Sequence, residues 1–212
     1  MKIDFHVHTK LSPCAAIKPK LAVKIARKRG LDAIALVNHD KLLKYNDRNF
    51  KVIIGEEIRA KQGEIIGLFI KEPIKPGLDA QKTIDLIKAR GGIVILPHVF
   101  DPFRRGVKKH VFELRNFDFI ELNGRCLLKN FNNKILKFSE KYKLPLIGGS
   151  DAHYYEEIGQ LITEVNAETI DEAIEKLLCK QGRVLKKSIG LKRYKCYFKS
   201  IIMSSVRKTL KY

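Results

Sequence analysis

Five of the six histidines in this 212-residue chain, His6, His8, His39, His98 and His153, stand where an apolar, strand-like run begins or ends. Carboxylates occupy similar places: Glu56 and Glu57 in "IIGEEI", Glu64 at the start of the next run, Glu121, and Asp151 in "GGSDAH". Imidazole nitrogen together with carboxylate oxygen is the donor mix of zinc, manganese and iron sites. The opening "DFHVH" spaces Asp4, His6 and His8 at every second residue, so an extended strand would project all three from one side. The sixth histidine, His110, falls in a basic stretch apart from the others.

The elements that must carry these residues follow from the apolar pattern. Runs over Lys2–His8, Ala33–His39, Val52–Ala60, Ile65–Ile70, Ile93–His98, Phe117–Asn123, Leu146–Gly149 and Leu161–Val165 read as strands. Their nearly continuous apolar character predicts buried, mainly parallel strands. "PKLAVKIARKRG", "DAQKTIDLIKARGG", "NKILKFSEKYKL" and "DEAIEKLLCKQG" carry apolar residues at helical spacing. A short "KQG" turn joins two strands directly as a hairpin. Strand–helix alternation leaves an α/β barrel or an open doubly wound sheet. No phosphate-binding glycine motif follows a strand, and His8, His39, His98 and Asp151 sit at strand ends, the rim where barrels keep their chemistry. The barrel is the expected fold.

Composition narrows the class. Lys plus Arg number 42 against 23 Asp plus Glu, a net charge of +19, and residues 183–212 contain ten basic and no acidic residues. Such a field attracts polyanions. No apolar run approaches membrane-spanning length, no signal-peptide core is present, and the four cysteines lack C-x-x-C spacing. A cytoplasmic protein with reduced thiols is expected. Residues 1–182 are expected to form the barrel and residues 183–212 a basic extension. The extension carries Leu191, Tyr194, Phe198, Ile201, Ile202, Val206 and Leu210 at helical spacing, an apolar stripe expected to pack on the barrel.

"DFHVHTKLSP", "ALVNHD", "IGEEI", "LPH" and "GSDAH", in this order, resemble the polymerase and histidinol phosphatase (PHP) family. The resemblance implies a distorted (β/α)7 TIM-like barrel, here with a basic helical tail, and two or three divalent metal ions, manganese, zinc or iron, at its C-terminal mouth. Position by position, it implies that His6, His8 and Asp151 hold one ion, Glu57 bridges and His98 holds the second. His39 and His153 would hold a third, with Asp151 and His153 the catalytic residues. Asp4 would orient a ligand imidazole from behind.

Three places depart from the family pattern. Ser12-Pro13-Cys14 replaces its S-D-G, leaving Cys14 as an alternative donor; Glu64 stands where relatives open a strand with histidine; and Val37-Asn38-His39 replaces T-D-H. Carboxylate at Glu64 would favour manganese or iron over zinc. The implied activity is hydrolysis of a phosphate monoester, such as a nucleotide or sugar phosphate, by a water activated between the ions. Arg104, Arg105 and Arg125 follow strand ends and would grip the phosphate. The alternatives are a 3'–5' exonuclease or other nuclease, with the basic tail holding nucleic acid, and a non-catalytic RNA-binding subunit of the ribonuclease P type.

Overall fold

The computed structural model describes residues 1–187, 190 and 192–209. Leu191 and Leu210 of the apolar stripe lie outside the described residues. The chain runs β1 (Lys2–Val7), α1 (Pro19–Lys28), β2 (Ala33–His39), β3 (Lys51–Arg59), β4 (Glu64–Leu68), α2 (Ala80–Ala89), β5 (Ile93–Leu96), a 3-10 turn (Lys108–Phe112) and β6 (Phe119–Asn123). It continues through α3 (Lys129–Tyr142), β7 (Leu146–Gly149), β8 (Leu161–Val165), α4 (Ile170–Leu178), β9 (Gly182–Lys186) and α5 (Lys192–Thr209).

Local chemistry sets the helix ends. Pro19 opens α1, whose missing N–H costs nothing there, and Arg27 and Lys28 close it against the helix dipole. Asp79 caps α2 by accepting from the Gln81 and Lys82 amides, and Thr169 caps α4 through the Glu172 amide.

All nine strands join one sheet in the order β7-β6-β5-β4-β3-β2-β1-β8-β9. Pairs β1–β2, β2–β3, β5–β6 and β6–β7 are parallel; β3–β4, β4–β5, β1–β8 and β8–β9 are antiparallel. The expectation of a mainly parallel sheet is therefore corrected to an even mixture. Burial on both faces produces the same continuous apolar runs whichever way a strand points. The sheet curls until β7 meets β8, where Gly148 N donates to Thr163 Oγ1 at 2.8 Å. A Cβ on Gly148 would lie 2.6 Å from Val184 Cγ1, so only glycine allows this closure. The result is a nearly closed, distorted barrel.

An apolar cluster takes Phe5, Ala35, Ile53, Ile66, Ile95, Phe119 and Ile147 from seven successive strands and adds Ala173, Ile174 and Leu177 of α4. Along β2, β3, β4 and β6 the site residues share the parity of these interior residues, since Ala35 leads to His39, Ile53 to Glu57 and Phe119 to Glu121. β1 is the exception. Its pairing with β2 slips by one residue between Asp4 and Val7, so simple alternation does not run from Asp4 to His8.

β9 extends the sheet beyond β8, so residues 183–186 of the expected extension pair with the barrel sheet. The short, exposed "GRVLK" edge carries no apolar run that would betray a strand. α5 does pack on the barrel, but through Cys196 and Ser200, while Phe198, Ile201, Ile202 and Val206 remain exposed. The expectation that the apolar stripe makes this contact is corrected. The barrel presents carbonyls and a buried arginine at that point, and these select the helix's polar side.

Candidate metal centre

The strand ends bring His6, His8, His39, Glu57, Glu64, His98, Asp151 and His153 into one cluster, all buried except His39, whose side chain is 20% exposed. His8 follows β1, His39 closes β2, His98 lies just past β5 and Asp151 just past β7. Glu64 opens β4, and because β4 runs antiparallel to β3 its first residue reaches the same rim. His98 and Asp151 have φ of 36° and 53°, a left-handed backbone that costs energy and aims both side chains across the mouth. Pro97 precedes the first, ending β5 at Leu96. Gly149 clears the floor, since a Cβ there would stand 2.3 Å from Glu121 Oε1 and 2.5 Å from His6 Cβ.

The spacings are those of donors around cations. His6 Nε2 lies 3.0 Å from His8 Nε2, and Asp151 Oδ1 lies 3.6 and 3.4 Å from them. Glu57 Oε2 is 3.2 Å from His8 Nε2 and 3.0 Å from His39 Nδ1, while Glu57 Oε1 is 3.0 Å from His98 Nε2. Glu64 approaches His39 at 3.6 Å and His98 at 3.7 Å. Two donors each about 2.1 Å from one ion are separated by about 3.0–3.4 Å in octahedral or tetrahedral geometry. Donor atoms of His6/His8/Asp151, His39/Glu57/Glu64 and His8/His39/His153 each fall within 4.8 Å of one another. Glu57 Oε2, His39 Nδ1 and Asp151 Oδ1 are buried with no hydrogen bond. Orphaned donors beside one another are expensive unless a cation joins them, so the residues fit divalent metal ions.

The electrostatics agree. Burial opposes charge on His6, yet Glu121 and Glu57 overcome it and raise its pKa to about 10. Burial likewise opposes charge on His39, which Glu57 and a hydrogen bond to Cys14 raise to about 10. Burial and the neighbouring His39 hold His8 neutral; burial and Arg125 do the same for His153. Burial, with the Glu57 charge added, pushes Glu64 up. The carboxylates thus draw positive charge onto the imidazoles nearest them.

Asp4 does not orient an imidazole. It accepts from the amides of Ser150 at 2.9 Å, Gly159 at 2.8 Å and His6 at 3.3 Å, tying β1 to the loop that carries Asp151 and His153. Asp4→Ala orphans these buried donors and should destabilise the protein by about 3 kcal/mol in urea unfolding. The orienting carboxylate is Glu121: its Oε1 accepts a hydrogen bond from His6 Nδ1 at 2.8 Å, turning Nε2 to the centre, and its Oε2 accepts from the His98 amide. Asn123 bridges Glu121 and Asp151 at 3.0 and 3.2 Å. Ser12 Oγ meets His8 Nδ1 at 3.1 Å and donates to Asn38 Oδ1, so Asn38 serves the hydrogen-bond frame behind the cluster. Acid and amide at alternate positions of apolar β6 were the available sign of Glu121 and Asn123.

Glu56 points to the other face of β3, where Oε2 accepts from Ile74 N at 2.9 Å and Oε1 has no partner. Burial raises its pKa from 4.5 to about 7. The folded state therefore holds a proton that the unfolded chain has already released, and stability falls as pH rises from 4.5 to 7. Glu56→Gln should flatten that slope and gain about 2–3 kcal/mol near pH 8, read from denaturation midpoints across pH.

Of the three arginines, Arg104 pairs with Asp151 and Arg105 lines the mouth, its carbonyl accepting from Glu64 N at 2.6 Å. Arg125 is buried, with Nε 2.9 Å from Glu157 and Nη2 donating to Ser200 of α5 at 2.7 Å. Arg125 Nη1 and Arg104 Nε lack partners. These groups, with Cys14, His39 and His153, line a cavity of about 370 Å³ whose far wall is Tyr197, Ser200, Ile201, Ser204 and Ser205 of α5. His110 lies apart, beside Glu113.

A distorted barrel that gathers imidazoles and carboxylates at its open end is the architecture of the PHP class, and this chain belongs to the PHP family. The family profile described as PHP-associated matches residues 129–180. MJ0417, an uncharacterised protein of Methanocaldococcus jannaschii, is 37% identical over 182 residues, spanning 81% of this chain and 75% of its own. MJ1587 of the same organism is 34% identical over 139 residues, 58% of this chain and 81% of its own. PsfC from Pseudomonas syringae superposes with a TM-score of 0.69 at 18% identity, covering 97% of this chain and 98% of its own. A protein assigned as a metal-dependent phosphoesterase in Bifidobacterium adolescentis gives 0.62 at 17%, covering 84% and 96%. At these identities the two solved structures speak for the fold.

Proposed function

We propose that the protein is a metal-dependent phosphoesterase acting on the phosphate monoester of a small molecule, such as a nucleotide or a sugar phosphate. The observation that carries this reading is a carboxylate-rich donor cluster opening directly onto arginines with unpaired guanidinium nitrogens. His6, His8, Asp151 and Glu57 would hold one divalent ion; Glu57, Glu64 and His98 a second; and His153, kept neutral, would join His39 around a third. Bound ions would supply Lewis-acid charge at the phosphoryl oxygens and make a water nucleophilic near neutral pH.

The chain's own groups do the rest. Glu121 fixes the His6 tautomer, and Asn123 holds Asp151 in place. Arg104, released from Asp151 once that carboxylate has a cation, is free to bind phosphate oxygens, and Arg125 presents Nη1 beside it. The α5 wall bounds a cavity of about 370 Å³, a volume suited to a small-molecule substrate.

A manganese-supplemented hydrolysis screen of mononucleotides, sugar phosphates and short RNA tests this. Phosphate release from small monoesters, abolished by chelator, is expected. Faster release of mononucleotides from RNA would make the protein a nuclease, and tight RNA binding without hydrolysis of any substrate would make it a binding subunit.

A further inference from the structure

α5 meets the barrel with its polar side. Cys196 and Ser200 are buried, and Arg207 donates to the carbonyls of Ser12, Pro13 and Ala15. The opposite side exposes Phe198 by 60%, Ile202 by 63% and Val206 by 50%, and Ile201, at the border between this side and the cavity, is 47% exposed. Spacings of three and four residues make these one stripe along the helix. This reverses the usual arrangement of a surface helix, which turns its apolar face inward. Lysines flank the stripe: Lys192, Lys195 and Lys199 are exposed on α5, and Lys186 and Lys187 are exposed where β9 ends. β9 runs antiparallel to β8, and β8 antiparallel to β1, so the end of β9 lies at the same rim as the mouth.

Three kinds of surface could cover an apolar stripe of this sort, and charge separates them. A second copy would bring two +19 chains together through a segment, residues 183–212, that has no acidic residue to pair its ten basic ones. A nucleic acid offers the needed anions, but gains its apolar contacts by stacking bases on aromatic rings. The most exposed positions of this stripe are aliphatic apart from Phe198. An anionic lipid surface satisfies both parts, the acyl boundary taking the aliphatic side chains and the headgroups taking the lysines.

We propose that α5 is an interfacial helix that docks the protein on an anionic membrane surface. No helix among the described residues is long and apolar enough to cross a membrane, so the contact is peripheral. Because the inner side of α5 walls the cavity, docking sets the mouth of the barrel at the lipid–water boundary.

Co-sedimentation of the full chain with vesicles tests the proposal independently of any hydrolysis. In about 0.1 M salt, binding to mixed phosphatidylglycerol–phosphatidylcholine vesicles should exceed binding to phosphatidylcholine alone by about tenfold or more, and weaken as salt is raised. The double substitution Phe198→Ser/Ile202→Ser should lower the affinity by about tenfold or more, with the circular dichroism spectrum and thermal midpoint unchanged because both side chains are already exposed. No binding to anionic vesicles, or equal binding by the double variant, overturns the proposal. A dimer that the same variant dissolves would assign the stripe to a second copy, and single-stranded RNA bound more tightly than vesicles through the same two residues would assign it to nucleic acid; either result also overturns it.

Discussion

Glu57→Ala should abolish hydrolysis, lowering turnover by about 10³-fold or more, and no excess of manganese should restore it. Glu57 reaches the histidines more closely than Glu64 does, with Oε2 3.2 and 3.0 Å from His8 and His39 and Oε1 3.0 Å from His98, where Glu64 stands 3.6 and 3.7 Å from His39 and His98. Its charge is also what raises His6 and His39, together with Glu121 and Cys14 respectively. Losing it opens two donor groups at once, so metal content measured on the purified variant should fall alongside activity. Glu56→Ala is the matched control, because the neighbouring side chain turns away to the Ile74 amide. A Glu57→Ala protein with full metal content and near-normal turnover would refute the shared-carboxylate arrangement.

Arg125→Ala should cost about 3–5 kcal/mol of stability, the largest loss expected of any single substitution at the mouth. The guanidinium neutralises Glu157, whose other oxygen accepts from the His153 and Tyr154 amides at 2.8 and 2.9 Å. It also donates to Ser200 and lies 5.2 Å from the Tyr197 ring centre, so the same side chain holds α5 in place. Burial already pushes Glu157 up, and Arg125 is the chief opposing influence. Without it the folded state favours the protonated acid, so the variant should lose stability further as pH rises above 4.5, the ordinary value for the acid. Denaturant unfolding of Arg125→Ala and of Arg125→Ala/Glu157→Gln should show the second change recovering much of the loss and removing its pH dependence. Proteolysis should cut α5 sooner in Arg125→Ala than in the parent. Equal stability of parent and single variant would mean that Glu157 is satisfied from elsewhere.

By itself, the sequence determined the elements and the donor inventory. β2, β7 and β8 have the bounds that apolar runs predict, because a strand buried on both faces writes itself into consecutive residues. Strand-end position picked out five histidines and a set of carboxylates, and the resemblance to the PHP pattern then named the eight candidate metal donors among them. What the tertiary structure decided were relations between distant residues. Asp4 and Glu121 are each an acid among apolar neighbours, yet one ties down a loop and the other aims an imidazole, and the difference lies in partners 146 and 115 residues away. The antiparallel course of β4, which brings Glu64 to the mouth, depends on pairing across the sheet rather than on local pattern. α5 makes the point most plainly. Its helical spacing was readable, but which side faces the barrel was set by Arg125 and the carbonyls of the Ser12–Ala15 loop, groups that a helix's own periodicity cannot see.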